Sequence, residues 1–268
     1  MHYDPIKQIL GKTIGHNLFI RKLFYRLLDL LLLRTWHIKK ELYKWAVMQQ
    51  ENMQVLDAGS GFGQYTYFLA RKYKQWQILG VDVKQEQVDD CNAFFSKAKL
   101  NNTHFDLADL TQFHQTEKYN LVLSVDVMEH IEDDVTVFRN LYRSLRKGGM
   151  LLISTPSDQG GSDVHKEHGS SFIEEHVRDG YNIIEIQEKL SAAGFEKTMA
   201  RYQYGKPGKL SWKLSMKYPI NLLGISKFFF LILPFYYLMV FPFCLILNAA
   251  DVSITHNSGT GLIVKAWK

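Results

Sequence analysis

Asp57, Gly59, Ser60, Gly61 and Gly63 fall together in the run Val55-Leu56-Asp57-Ala58-Gly59-Ser60-Gly61-Phe62-Gly63-Gln64. Three glycines at alternate positions make a turn with unusual dihedrals, across which a ligand can come close to the main chain. A helix starting near Gln64 aims its free N–H groups and the positive end of its dipole at the same place. The spacing is not the dinucleotide pattern G-x-G-x-x-G, since Gln64 takes the sixth position, and no lysine completes a P-loop. Asp57 is a poor neighbour for a pyrophosphate and a good one for an ammonium group. The run therefore favours a ligand with an amino-acid moiety over one carrying phosphates.

The elements that must position these residues are legible on either side. Val55-Leu56 reads as the end of a buried strand. Gln77-Ile78-Leu79-Gly80-Val81-Asp82 is a second apolar strand, and its terminal acid lies 19 residues past Gly63. A carboxylate at that tip is suited to accept hydrogen bonds from both hydroxyls of a ribose. His104–Leu110 gives a third short strand with Asp109 at its end, and Tyr119–Asp126 a fourth. Asp133–Arg146 has the pattern of an amphipathic helix, stopped by Lys147-Gly148-Gly149. Met150–Ser154 is a fifth strand, ended by Thr155-Pro156. Acids at the carboxyl ends of successive strands converge on one crevice in a doubly wound sheet.

At this point the chain resembles the class I S-adenosylmethionine-dependent methyltransferases, whose first motif has the form of Asp57 to Gly63. The resemblance covers about residues 50 to 204 and the last strand. Val127-Met128-Glu129-His130-Ile131 is similar to the family's fourth motif, and with the glycine turn it looks like the methyltransferase type 11 and quinone-biosynthesis group. The resemblance implies an α/β, Rossmann-like, doubly wound sheet of seven strands with a final antiparallel strand, and S-adenosyl-L-methionine as cofactor. It implies a cofactor site of Asp57, Gly59, Ser60, Gly61, Gly63, Asp82, Val83, Asp109, Leu110 and Asp126, with Asp109 at the adenine amino group.

Methyl transfer needs a base only where the acceptor must lose a proton. His165 and His168 follow the fifth strand, where the family's loop faces the transferable methyl, and a helical turn sets an i, i+3 pair on one side. His130 is a third candidate. Nothing in the spacing of His165, Glu167 and His168 makes a metal site, and none is expected.

Charge divides the chain into three parts. Residues 1–50 carry nine Lys/Arg against three acids and residues 201–268 eight against one, while 51–200 carry fifteen against twenty-three. The two basic flanks are also the greasiest segments. Residues 1–50 read as basic amphipathic helices, either a lid over the cofactor or a helix lying on a membrane surface. Residues 51–205 and 257–268 form the core, leaving 206–256 as an insert before the final strand. Its stretch Phe228–Leu247 has no charge over 20 residues, long enough to be a membrane-span candidate. The strands on either side belong to one sheet, so the insert must return to the side it left. Pro234 and Pro242 favour breaks, giving two helices that dip into one leaflet. Lys206, Lys209, Lys213, Lys217 and Lys227, with Trp212 and Tyr218, suit an interfacial anchor.

The expected partner is a small or lipophilic acceptor at a membrane face. The bland alternatives for the insert are a buried hairpin over the substrate pocket and a hydrophobic homodimer interface. Two other functions stay open: a S-adenosylmethionine-binding membrane partner or scaffold without transfer activity, and a nucleic-acid methyltransferase. No RNA-binding module is recognisable, so nucleic acid is not expected. Two cysteines, Cys91 and Cys244, and no secretory signal point to a reducing compartment. The expected place is the cytoplasm, peripheral or monotopic at the inner face of a membrane.

Overall fold

The computed structural model describes residues 17–49, 52–160 and 177–268. Two helices, α1 (Leu18–Leu31) and α2 (Leu33–Val47), precede the first strand. Then β1 (Gln54–Ala58), α3 (Gln64–Lys72), β2 (Gln77–Asp82), α4 (Gln85–Lys97) and β3 (Thr103–Leu107) follow as βαβ units. After β4 (Tyr119–Val125) come a 3-10 turn at Met128–His130, α5 (Asp134–Ser144) and β5 (Leu145–Pro156). Next are α6 (Ile183–Ala193) and β6 (Lys197–Gln203), the insert, and β7 (Gly261–Trp267).

The seven strands run in the order β3-β2-β1-β4-β5-β7-β6, with β7 antiparallel to both its neighbours. Alternate side chains divide between the two faces, as the two-residue period of a strand requires. Leu56, Val122, Leu151, Ile153 and Val264 pack with Val137, Phe138 and Leu141 of α5 and Ile186 and Leu190 of α6. Val55, Leu121, Leu123, Leu152 and Ile263 pack with Ile38 and Leu42 of α2 and Leu69 of α3. A third cluster joins Tyr25 of α1 to Tyr67, Phe94, Phe95 and Phe105. Both faces are covered, which is why the central strands read as continuous apolar runs.

The end of α5 differs from the expectation. The helix stops at Ser144, and Leu145 already pairs with Tyr119. The register then shifts, and pairing resumes between Leu121 and Met150. Lys147-Gly148-Gly149 therefore lies in a bulge of the strand, with Gly148 at φ +76°.

The insert begins with α7 (Lys206–Trp212), a π-helical turn (Lys213–Lys217) and α8 (Tyr218–Ile225). A 3-10 turn (Lys227–Leu231) then leads into α9 (Leu233–Ser253), which runs back to the body. Pro234 sits in the first turn of α9, where no intrahelical N–H is needed. Pro242 does not break the helix. The tyrosine hydroxyls of Tyr236 and Tyr237 donate to the carbonyls of Leu214 and Ser215 at 2.7 and 2.8 Å, and Ser211 Oγ donates to the Cys244 carbonyl at 3.3 Å. These contacts hold α9 against the outgoing arm, α7 and the π-helical turn, on both sides of the proline.

The roots of the hairpin are held by charge. Asp251, fully buried, accepts from the backbone N–H groups of Tyr204 (3.2 Å) and Gly208 (2.9 Å) and bonds His37 Nε2 of α2 at 2.9 Å. His37 Nδ1 in turn meets Arg201 at 3.0 Å, and Arg201 pairs with buried Glu41 at 3.1 Å. One carboxylate thus ties both ends of the insert to α2.

Candidate active site

The strand order reverses between β1 and β4, and a doubly wound sheet opens its crevice at the carboxyl ends of the strands there. The glycine turn lies at that point. Gly59 and Ser60 donate their N–H groups to the Val81 carbonyl, both at 2.9 Å, which ties the turn to β2. Gly59, Gly61 and Gly63 all have positive φ. They serve different ends. A Cβ on Gly59 would lie 2.3 Å from Val127, so that glycine makes room for the protein itself. A Cβ on Gly61, at φ +50°, would meet only Gln87 Oε1 at 4.0 Å. Gly61 thus borders open space, as the floor of a ligand cradle should.

Asp82 is fixed by that same cradle. Its Oδ2 accepts from the Gly61 N–H at 2.9 Å and its Oδ1 from the Lys84 N–H at 3.0 Å. Two backbone donors orient the carboxylate and leave its remaining lone pairs for a ligand's hydroxyls. Val83 beside it is exposed, an apolar surface for a flat ring. Ser60 Oγ is buried and has no hydrogen-bond partner among the described residues, which is the condition of a group waiting for a polar ligand.

Asp57 points to the α3 face of β1 and is 2% exposed. It accepts from Thr66 Oγ1 at 2.6 Å. Burial pushes its carboxyl up to about 6 against the opposing pull of the Thr66 hydrogen bonds. A cation close by would draw that value back down. Asp109 is exposed after β3, and its Oδ1 accepts from the Thr111 N–H and hydroxyl, both at 2.8 Å. Leu110 next to it is buried in the core.

At the end of β4, Asp126 adopts φ +52° and pairs with Arg34 of α2. Arg34 was not foreseen as a site residue. No local signal could reveal it, because the pair joins residues far apart in sequence. The same helix brings Thr35 to Gln64 Nε2 at 3.3 Å, and Gln64 Nε2 also donates to Asp29 Oδ1 at 3.0 Å. The N-terminal helices thus close over the start of α3.

The fourth-motif pair splits. His130 is exposed, whereas Glu129 is 1% exposed and accepts from Thr155 Oγ1 of β5 at 3.1 Å. Burial raises the Glu129 carboxyl, opposed by its own backbone hydrogen bond, by the charge of His130 and by Arg34. A buried carboxyl with a perturbed pKa in a crevice is a functional-site signature. Asp126, Glu129 and Thr155 cluster at the carboxyl ends of β4 and β5, and Arg34 reaches Asp126 from α2. His165 and His168 lie outside the described residues. The chain is next described from Val177, whose N–H donates to the Glu129 carbonyl at 3.0 Å; beyond it Arg178 pairs with buried Asp134, and the Tyr181 hydroxyl donates to Asp134 at 2.7 Å.

Comparison with known proteins agrees with the fold. Residues 49–201 match the family described as a methyltransferase domain. The chain is 27% identical over 113 residues to (S)-coclaurine N-methyltransferase of Papaver somniferum, a stretch covering 42% of this chain and 32% of that protein. It is 27% identical over 151 residues to phosphoethanolamine N-methyltransferase 1 of Triticum aestivum, covering 55% and 29%. The chain spans about a third of the length of these curated relatives. A phosphoethanolamine N-methyltransferase 2 from Haemonchus contortus, solved with phosphomonomethylethanolamine and S-adenosylhomocysteine, has the same fold. Its TM-score is 0.60 at 20% identity, over 87% of this chain and 52% of that one.

Proposed function

This chain belongs to the methyltransferase domain family, and on that premise we propose that it moves the methyl group of S-adenosyl-L-methionine to a small, lipophilic acceptor at a membrane surface. The observation that carries the cofactor reading is the Asp82 carboxylate, held by the Gly61 and Lys84 N–H groups at the edge of an open glycine cradle. The residues fit the cofactor part by part. Asp82 suits the ribose hydroxyls, exposed Val83 flanks the ring with Leu110 buried beneath, and Asp109 keeps one carboxylate oxygen for its amino group. Gly59, Ser60, Gly61 and Gly63 supply the cradle, and Asp57 and Asp126 supply negative charge for an ammonium group.

The cofactor's contribution is a methyl carbon activated by its sulfonium. The protein's share is positioning and proton handling. The curated relatives are named for N-methylation, which favours an amine acceptor, and a protonated amine must lose its proton before it can attack. Glu129 is the carboxyl to take that proton or hold the amine, with Thr155 fixing its orientation. Arg34 holds Asp126 in place from the lid side. His165 and His168 remain candidates for the acceptor side.

The membrane part rests on α9. Phe235, Leu238 and Met239 are each more than 70% exposed, which favours a helix meeting an apolar phase over a core helix or a plug over the pocket. It is the one described helix long and apolar enough to be a span candidate. Its free apolar stretch ends near Leu247, because Asn248 and Asp251 are buried against the body. Fifteen residues at 1.5 Å reach about 22 Å, short of a hydrocarbon core of about 30 Å. A hairpin dipping into the membrane and returning fits that length.

Calorimetry with S-adenosyl-L-methionine tests the first part: the chain binds, and Asp82→Ala weakens binding at least 10-fold. Unchanged affinity in that variant would overturn the assignment. Flotation with liposomes tests the second: no flotation by the unaltered chain would overturn it, and a Phe235→Ser/Leu238→Ser variant that floats as well as the unaltered chain would remove α9 as its anchor.

A further inference from the structure

Helix α1 is amphipathic in the unexpected sense. Its polar residues Arg21 and Tyr25 are buried, while Phe19, Ile20, Leu23, Leu27, Leu30 and Leu31 are exposed. Steps of three and four put those six side chains in one stripe on the outer face. A contiguous apolar surface rimmed by polar residues marks an interaction site. At the edge of the stripe is a notch of about 200 Å³ lined by Lys22, Arg26, Tyr67, Arg71, Ala98 and Leu100. Three cations meet there, and among the described residues no carboxylate lines it. Arg71 is held by Tyr67, to whose hydroxyl it donates at 3.3 Å. Such a notch calls for a multiply charged anion, and the stripe beside it calls for an acyl surface.

We propose that α1 is an interfacial helix that seats the protein on anionic phospholipid, its leucine stripe at the acyl boundary and the Lys22–Arg26–Arg71 notch on a lipid phosphate. The proposal rests on the membrane reading above and names the lipid and a second contact surface, separate from α9. It also fixes which part of the molecule faces the bilayer. On the inner side of α1, Arg21 donates to the Phe62 carbonyl of the glycine turn at 3.0 Å and Tyr25 donates to the same oxygen. The cofactor cradle therefore lies about one helix diameter, roughly 10 Å, from the docked surface.

The test is flotation of the full chain with phosphatidylcholine vesicles and with vesicles containing phosphatidylglycerol, using Lys22→Gln/Arg26→Gln and Leu23→Ser/Leu27→Ser variants whose S-adenosyl-L-methionine affinity verifies folding. The chain is expected to prefer the anionic vesicles. The charge variant loses roughly 30-fold in affinity for them, two basic residues at about 1 kcal/mol each, and the leucine variant binds both kinds more weakly. A charge variant that keeps the anionic preference overturns the proposal. If that preference is instead lost in Phe235→Ser/Leu238→Ser, the membrane reading survives and α1 does not carry it. No flotation by the unaltered chain overturns both. Release from the vesicles by inorganic phosphate, beyond the effect of sodium chloride at equal ionic strength, would make the notch a free-phosphate site. A dimer that dissociates on Leu23→Ser/Leu27→Ser without flotation would give the stripe to a second copy.

Discussion

Asp57→Asn should make the ligand-free protein more stable and the cofactor bind more weakly. The carboxyl is raised from an ordinary 3.8 to about 6 by burial. Between those values the folded chain holds a proton that the unfolded chain has lost, so stability falls as pH rises through this window. Once both are ionised, the cost is about 3 kcal/mol at 1.36 kcal/mol per factor of ten. Asparagine removes the charge and keeps an oxygen for Thr66 Oγ1, 2.6 Å from the carboxylate. The variant should match the wild type near pH 4 and exceed it by about 1–3 kcal/mol at pH 8, some 3–10 °C in Tm for a chain of this size. Thermal unfolding at several pH values, with and without S-adenosyl-L-methionine, measures both sides. Added cofactor should narrow or reverse the gap, since its ammonium offsets the wild-type charge. A variant less stable than wild type at pH 8 without ligand would refute the reasoning.

Glu129→Gln should lower kcat by about 10²–10⁴-fold with cofactor affinity unchanged, as loss of a proton acceptor does; equal kcat in a methyl-transfer assay would remove Glu129 from the chemistry. Gly61→Ala should cost about 1–2 kcal/mol through its φ of +50° and weaken cofactor binding by filling the cradle, whereas Gly59→Ala should cost more because Val127 has to move; chemical denaturation with calorimetry separates the two. Burial acts to raise the Asp251 carboxyl, but His37, the Gly208 N–H and His256 together hold it low. Asp251→Asn should therefore destabilise by about 1–3 kcal/mol, as losing a buried charged hydrogen-bond acceptor does, read by thermal unfolding at pH 7. Burial also lowers His37, so the unfolded chain takes up a proton that the folded chain resists. Stability contributed there should be lost as pH falls below about 6.5, so the stability gap between wild type and His37→Asn should narrow from pH 7 to 5.5, and a gap that widens would contradict it.

Features set by local chemistry were readable in the sequence. The alternate glycines, the apolar strands ending in acids and the last two strands all lie where side-chain pattern and turn chemistry demand. The start of β5 was misplaced because the glycine pair that commonly ends a helix serves a strand bulge here, and only the pairing of Leu145 with Tyr119 reveals it. Pro242 was misjudged because contacts from α7 and the π-helical turn offset its missing hydrogen bond. The lid side of the site was invisible. Arg34 reaches Asp126, and Arg21 reaches the Phe62 carbonyl, across separations no local pattern encodes. The partition of Glu129 inward and His130 outward depends on a 3-10 turn too short to have a sequence period.

The position of β7 bears on how the molecule is made. It is the last strand in chain order, yet it lies between β5 and β6, and among the described residues β6 has no other neighbour in the sheet. During synthesis β6 emerges and must wait, unpaired, while the whole insert follows it. The apolar arm of α9 is therefore complete before the sheet that roots it can close. Pairings of this kind are slow to form and expose sticky intermediates. A lipid surface near the ribosome would shelter α9 during that interval, so membranes present during translation should raise the yield of folded chain, and membranes added afterwards should not rescue it.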